Sequence, residues 1–266
     1  MDILEKIVAY KKEETNKRKE AFTIEKLEAS PLFKRETHSL KKHLVNTPFG
    51  IIAEFKRRSP SKGLINGNAA PEIVTKAYAQ AGVSAVSVLT DEHFFGGAQA
   101  DLNATRAVID IPILRKDFTL EEYHILEAKS MGADAILLIA AALSSKILKS
   151  LAVFAKSLGL EVLMEVHNTT ELHSCFNEFV DVVGINNRNL KTFEVSIETS
   201  VKVQEEIPKE QVKISESGIS NIENIHYLKN FGFNGFLIGE NFMKTENPGE
   251  ACKQFLATLE TTKSNT

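Results

Sequence analysis

The 266-residue chain holds only two cysteines, Cys175 and Cys252, far apart and in stretches that read as helices. A disulfide framework is thereby excluded as the basis of the fold, and a reducing compartment is expected. Charge of one sign is not in excess either. The formal net charge is −3 with a pI near 6.2, so no long-range field draws in nucleic acid or an anionic membrane, and any anion site must be local. Long apolar runs are also missing. The strongest, "AILLIAAAL", falls short of the roughly 20 residues of a membrane span. The first residues, "MDILEKIVAYKKEETNKRKE", are charged throughout, with neither the apolar stretch nor the cleavage site of a secretory leader. These absences predict a cytoplasmic protein with no nucleic-acid or membrane partner. Metal-ligand spacings such as HxH and HExxH are lacking, so neither metal nor other cofactor is expected.

What is present is a regular alternation. With 43% hydrophobic and 25% charged residues, the chain can bury a full core. From about residue 49, short β-branched runs ("GIIAEFK", "AVSVLTD", "IPILRKD", "DAILLIA", "EVLMEV", "DVVGINN", "QVKISES", "GFLIGE") alternate with helical patterns, several ending in Gly as helix C-caps do. Near-continuous apolar strands separated by single helices indicate a parallel sheet covered on both faces. Eight such units predict an α/β fold, a (β/α)₈ TIM barrel over residues 49–266, and no GxGxxG follows the first strand to favour a dinucleotide fold. Residues 1–48 show no strand and read as a helical extension packed on the barrel, broken at Pro31, with its Lys/Arg face in water.

Residues at the C-terminal strand ends of such a barrel converge on its mouth. The first run ends with Glu54 and Lys56, two apart and hence on one face. The third gives Lys116 and Asp117, the fifth Glu165 and His167, and the sixth Asn186 and Arg188. The seventh gives Glu216 and Ser217 before Gly218, and the eighth Gly239 and Glu240. Unpaired charges would be costly there, so Glu54, Lys56, Lys116 and Glu165 read together as an acid/base site, with ion-pair filling of the mouth as the bland alternative. Asp117, His93 and His167 read as solvated rim residues. The turns "SESGI" and "IGEN" fall where the fold usually cradles phosphate.

With these residues placed, the sequence resembles the indole-3-glycerol-phosphate synthase family of tryptophan biosynthesis, a metal-free barrel enzyme. The likeness is carried in order by "AEFKRRSPSKG", "SVLTDEHFFGG", "IPILRKDF", "LGLEVLMEVHN", "GINNRNLKTFEV", "SESGI" and "FLIGENFM". The resemblance implies ring closure of 1-(o-carboxyphenylamino)-1-deoxyribulose 5-phosphate to indole-3-glycerol phosphate with loss of carbon dioxide and water. By position it implies Lys116 as general acid and Glu165 as general base, with Lys56 and Glu54 assisting. Ser59, Asn186 and Arg188 would contact substrate, Glu216, Ser217, Gly218 and Gly239 would border the phosphate, and Phe95, Phe118, Leu137, Pro60 and Ile238 would form the slot for the aryl ring. The loops "RRSPSKG" and "DFTL" are expected to move. The chain has no Trp, so relatives that stack an N-terminal Trp on substrate are no guide, and Glu240 stands where some relatives have Ser. The expected partners are a phosphorylated small molecule and either no protein or another tryptophan-pathway enzyme. Two other readings stay open: a phosphosugar isomerase barrel, which would need a Cys/Asp pair although no strand ends in Cys, and a silent barrel that only binds sugar phosphates.

Overall fold

The computed structural model describes residues 2–263. Residues 264–266, the end of the expected barrel segment, lie outside the described residues, as does Met1. Eight parallel strands close into a barrel: β1 (Ile51–Phe55), β2 (Ala85–Leu89), β3 (Ile113–Lys116), β4 (Ala135–Ile139), β5 (Glu161–Val166), β6 (Val182–Asn186), β7 (Val212–Glu216) and β8 (Gly235–Ile238). Closure is made by β1 pairing with β8, Ile52 opposite Leu237. Every strand of the barrel lies inside a run expected from the sequence. Four helical patterns expected to end in Gly do so, with Gly82, Gly132, Gly159 and Gly232 at positive φ, where a residue without Cβ carries no steric cost.

The alternation of side chains along each strand builds two cores. Inward-facing Ile52, Leu114, Leu137, Leu163, Ile214 and Leu237 fill the barrel, while outward-facing Ile51, Phe55, Val86, Val88, Ile136 and Val183 meet the surrounding helices. Such a filled interior is a core and not a pore, which leaves room for chemistry only at its end. Among the described residues, no helix is long and apolar enough to cross a membrane.

The segment before β1 forms three helices, α1 (Ile3–Ala21), α2 (Ile24–Glu28) and α3 (Leu40–Val45). Most of the stretch around Pro31 is therefore turn, less helical than the sequence suggested. Asp2 starts α1 with a capping box, accepting from the Glu5 N–H while Glu5 accepts from the Asp2 N–H. One stripe of α1, Ile7, Lys11 and Thr15 at four-residue spacing, is buried against the barrel. The expectation of a basic face left in water is thus corrected at Lys11, which is fully buried because carboxylates from two strand ends receive it. At the other end of the barrel, α3 inserts Leu40 and Leu44 into the inner core. Glu161, opening β5, accepts from the Ser39 hydroxyl (2.5 Å) and the Lys41 N–H (2.7 Å), which fixes that plug in place.

Candidate active site

The C-terminal strand ends open on a cavity of about 500 Å³. Every residue expected to contact substrate lines it: Glu54, Lys56, Ser59 and Pro60 after β1; Phe95 after β2; Lys116 and Phe118 at β3; Leu137 on β4; Glu165 on β5; Asn186 and Arg188 at β6; Glu216, Ser217 and Gly218 at β7; Ile238 and Gly239 at β8. The sequence did not point to the cover. Ile3, Leu4 and Ile7 of α1, and Leu190, Phe193 and Val195 of the segment after β6, also line the cavity. Only an apolar residue every three or four positions near the start of the chain could have signalled the former.

The charged groups at the floor are paired. Lys116 Nζ lies 2.7 Å from Glu165 Oε2 and 2.6 Å from Glu216 Oε2, and Lys56 Nζ lies 2.6 Å from Glu54 Oε1. Asn186 Nδ2 donates to the other Glu165 oxygen at 3.0 Å, while its own Oδ1 accepts from the Arg188 N–H at 3.0 Å. Two glycines make room. A Cβ at Gly184 of β6 would collide with Glu216 Oε1, and one at Gly239 would come within 2.6 Å of Glu54 Oε1.

Burial alone would strip the charge from these groups, and their neighbours decide otherwise for most of them. At Lys116 burial works downward, but Glu165, Glu216 and Glu54 outweigh it and hold the ammonium well above its ordinary pKa. Glu165 is disfavoured as an anion by burial, yet Lys116, His167 and the Asn186 amide pull its pKa down to about 2. Glu216 goes the other way. Burial, reinforced by Glu165 and Glu54 and opposed by Lys116, pushes it up to about 7. Two carboxylates share one ammonium, and the second bears the cost.

Asp117 and His167 are not the solvated rim residues expected. Asp117 is buried, paired with Lys11 and Arg115 and accepting from Thr90 Oγ1 at 2.6 Å. Alternation explains it: Arg115 and Asp117 share the face opposite Lys116, so they point away from the barrel axis toward α1 and α6 (Glu122–Ser130). His167 Nδ1 lies 3.1 Å from Glu171 and its Nε2 lies 3.6 Å from Glu165 Oε1. Burial works against the imidazolium, but the Glu171 bond and the two carboxylates raise the His167 pKa above its ordinary value. His93 is exposed, as expected, and stacks on Tyr10.

Above the floor, the turns after β7 and β8 are tied by Asn241 Nδ2 donating to the Ser220 carbonyl at 3.2 Å. Ser217 and Gly218 are both left-handed, with φ of 65° and 75°; for Ser this is a strained conformation of the kind that clusters at binding sites. Lys62, Arg188 and Lys244 supply cations around this rim, Lys62 lying 3.4 Å from Glu240. The "RRSPSKG" loop carries a small hairpin, Arg58–Ser59 against Gly63–Leu64, and in "DFTL" Phe118 and Thr119 are buried. Among the described residues, no group of three or more His, Cys, Asp or Glu is placed to hold a metal ion.

Comparison with known proteins points to one family. A family model described as indole-3-glycerol phosphate synthase matches residues 4–255. The chain is 48% identical over 259 residues to the indole-3-glycerol phosphate synthase of Bacteroides thetaiotaomicron, spanning 97% of this chain and 99% of that one. To the enzyme of the same name from Burkholderia multivorans it is 43% identical, spanning 94% and 97%. Among solved structures, a mutant tryptophan synthase alpha-subunit from Pyrococcus furiosus superposes with a TM-score of 0.60 at 14% identity, covering 80% of this chain and 98% of that one. At that identity it speaks for the barrel alone. The paired lysines and carboxylates thus sit in a barrel whose sequence matches one enzyme family almost from end to end, and the chain belongs to the indole-3-glycerol phosphate synthase family.

Proposed function

We propose that this chain catalyses its family's decarboxylating ring closure with Lys116 and Glu165 as acid and base. The observation that carries the assignment is the floor triad, in which one ammonium lies within hydrogen-bond reach of two buried carboxylates beneath an apolar slot. The aryl ring of the substrate lies between Phe95, Phe118, Leu137, Pro60 and Ile238, and its phosphate meets the turns at Ser217–Gly218 and Gly239, with Lys62, Lys244 and Arg188 at hand.

In the first step the ring carbon bearing the carboxylate attacks the ketone carbon and Lys116 donates a proton to the ketone oxygen. The bond to the carboxylate then breaks, carbon dioxide leaves, and its electron pair restores the aromatic ring. In the second step the new hydroxyl takes a proton from Lys56 and departs as water while Glu165 accepts a proton from the neighbouring carbon, completing the double bond, and returns it to the Lys116 amine 2.7 Å away; Lys56 regains its proton from solvent at the mouth. A lysine held above its ordinary pKa is suited to this task. It stays charged until an alkoxide more basic than an amine develops beside it, so its proton moves in the transition state. Glu165, held ionised, is ready as the base. Lys56, paired with Glu54, neutralises negative charge at the mouth, and Asn186 orients Glu165.

The test is continuous fluorescence detection of the indole product from the carboxyphenylamino deoxyribulose phosphate, with wild type, Lys116→Ala and Glu165→Gln side by side. Wild-type turnover falling by 10²–10⁴-fold in each folded variant is expected. A folded wild type that binds the substrate without turning it over would overturn the acid/base assignment and leave a silent binding barrel.

A further inference from the structure

Lys11 belongs to α1, outside the barrel, and takes no part in the steps above, yet its side chain is completely buried. Its ammonium lies 2.8 Å from Asp91 Oδ2, 3.1 Å from Asp117 Oδ1 and 2.8 Å from Glu14 Oε2. The first two carboxylates stand just past the ends of β2 and β3, neighbouring strands of the mouth. Each organises a piece of the candidate site. Asp91 Oδ1 accepts the N–H groups of Phe94 (2.8 Å) and Phe95 (3.2 Å), forming the turn that presents Phe95 to the cavity. Asp117 Oδ1 accepts the Phe118 N–H at 2.8 Å and directly follows Lys116. The rings of Phe95 and Phe118 lie 6.0 Å apart in the slot.

We propose that Lys11 is a positioning residue for the reaction, a buried tie from the N-terminal helix that holds the β2 and β3 ends at the spacing which sets the aryl slot and aims Lys116. The inference rests on the functional reading of Phe95, Phe118 and Lys116 given above. Without Lys11, Asp91 and Asp117 are like charges facing each other in a dry pocket, and the two strand ends separate or the acids protonate. Arg115 and Thr90 also link the two strand ends, Arg115 Nε donating to Thr90 Oγ1 at 3.0 Å and Thr90 Oγ1 to Asp117 Oδ2 at 2.6 Å, but Arg115 pairs with Asp117 and Glu127 and not with Asp91, so the charge between the two aspartates is balanced by Lys11. Burial opposes the charge on Lys11, but Asp117 and Asp91 hold its pKa above the ordinary value, so the tie is intact throughout the working pH range.

The experiment measures kcat and KM for wild type, Lys11→Met, the double variant Lys11→Met/Asp91→Asn and, as a control on the exposed face of α1, Lys17→Ala, each below its unfolding temperature. Asn at position 91 keeps an oxygen for the Phe94 and Phe95 N–H groups and removes one of the orphaned charges, so the double variant recovers stability. A merely structural Lys11 lowers the number of active molecules, which reduces apparent kcat at unchanged KM, and the double variant regains it. The positioning role predicts KM raised about tenfold and kcat/KM lowered on the order of 100-fold in both Lys11 variants, the scale of a misplacement of about 1 Å, with Lys17→Ala like wild type. Wild-type constants in the double variant, a kcat loss at unchanged KM, or failure of both variants to fold where Lys17→Ala folds would each overturn it. Lys116→Ala is run alongside: if it retains turnover, the reading of the acid fails, a result separate from any behaviour of Lys11.

Discussion

Glu216 is accommodated by an absence. In "DVVGINN" the sequence places a Gly in the middle of β6, where glycine weakens a strand, and the structure gives the reason: a Cβ at Gly184 would press on Glu216 Oε1 and lie 2.9 Å from Leu163 Cδ2. Both obstacles are side-chain ends that can turn aside, so Gly184→Ala should cost little stability. Glu216 can turn only by leaving Lys116, however, and the expected result is a drop in kcat of ten-fold or more with the melting temperature within a few degrees of wild type. Steady-state kinetics and calorimetry on the same preparation check this. The sequence named Glu216 from its strand-end position but not Gly184, because a glycine inside a parallel strand carries no label for the group it spares. Asp117 and His167 were misread for a related reason. A position at a strand end predicts the mouth, whereas solvation depends on what other elements bring, here Lys11 from α1 and Glu171 from α8 (Thr169–Cys175).

At the scale of elements, the two ends of the barrel divide stability from chemistry, as the fold generally does. Asp134, just before β4, is fully buried at the end away from the cavity. It accepts from Arg35 (2.5 Å), Arg106 (2.9 Å), the His38 N–H (2.7 Å) and the Ile113 N–H (2.8 Å), binding the segment before α3 to α5 (Gln99–Arg106) and β3. Asp134→Asn leaves two guanidinium groups without their counter-charge and is expected to destabilise the fold by about 3–5 kcal/mol. The kcat of the molecules that remain folded is expected to stay unchanged. Urea titration with activity measured per folded molecule tests the division, and a kcat loss in folded protein would break it. The barrel elements were legible from sequence because each carries its own apolar period and Gly stop. The N-terminal helices were legible as helices only. Which face they bury is decided by Asp91, Asp117 and Asp134, distant in sequence, and no local pattern encodes that choice.

At the scale of the molecule, a chain of net charge −3 must admit a substrate bearing a carboxylate and a phosphate of about −1.5 to −2. The cavity floor already holds Lys56 and Lys116 in pairs with carboxylates, so the incoming charge is felt there first by the least firmly ionised member, Glu216, pushed up to about 7. Nearby negative charge raises a carboxyl pKa further, and binding should therefore take up a fraction of a proton from solution, at most about three quarters at pH 7.5 from that shift. Calorimetry in two buffers of different ionisation enthalpy, using the non-cyclising alcohol analogue of the substrate, reads the number directly. Uptake should be smaller in Glu216→Gln by that amount, and proton release by wild type would contradict it. The burial of both thiols has a further, practical consequence. Cys175 and Cys252 are enclosed and the latter is pushed up to about 12 by burial, while Leu64 stands 74% exposed on the hairpin beside the cavity mouth. A cysteine introduced at position 64 would be the accessible thiol among the described residues, so one spectroscopic label could follow that loop during turnover in an otherwise native sequence.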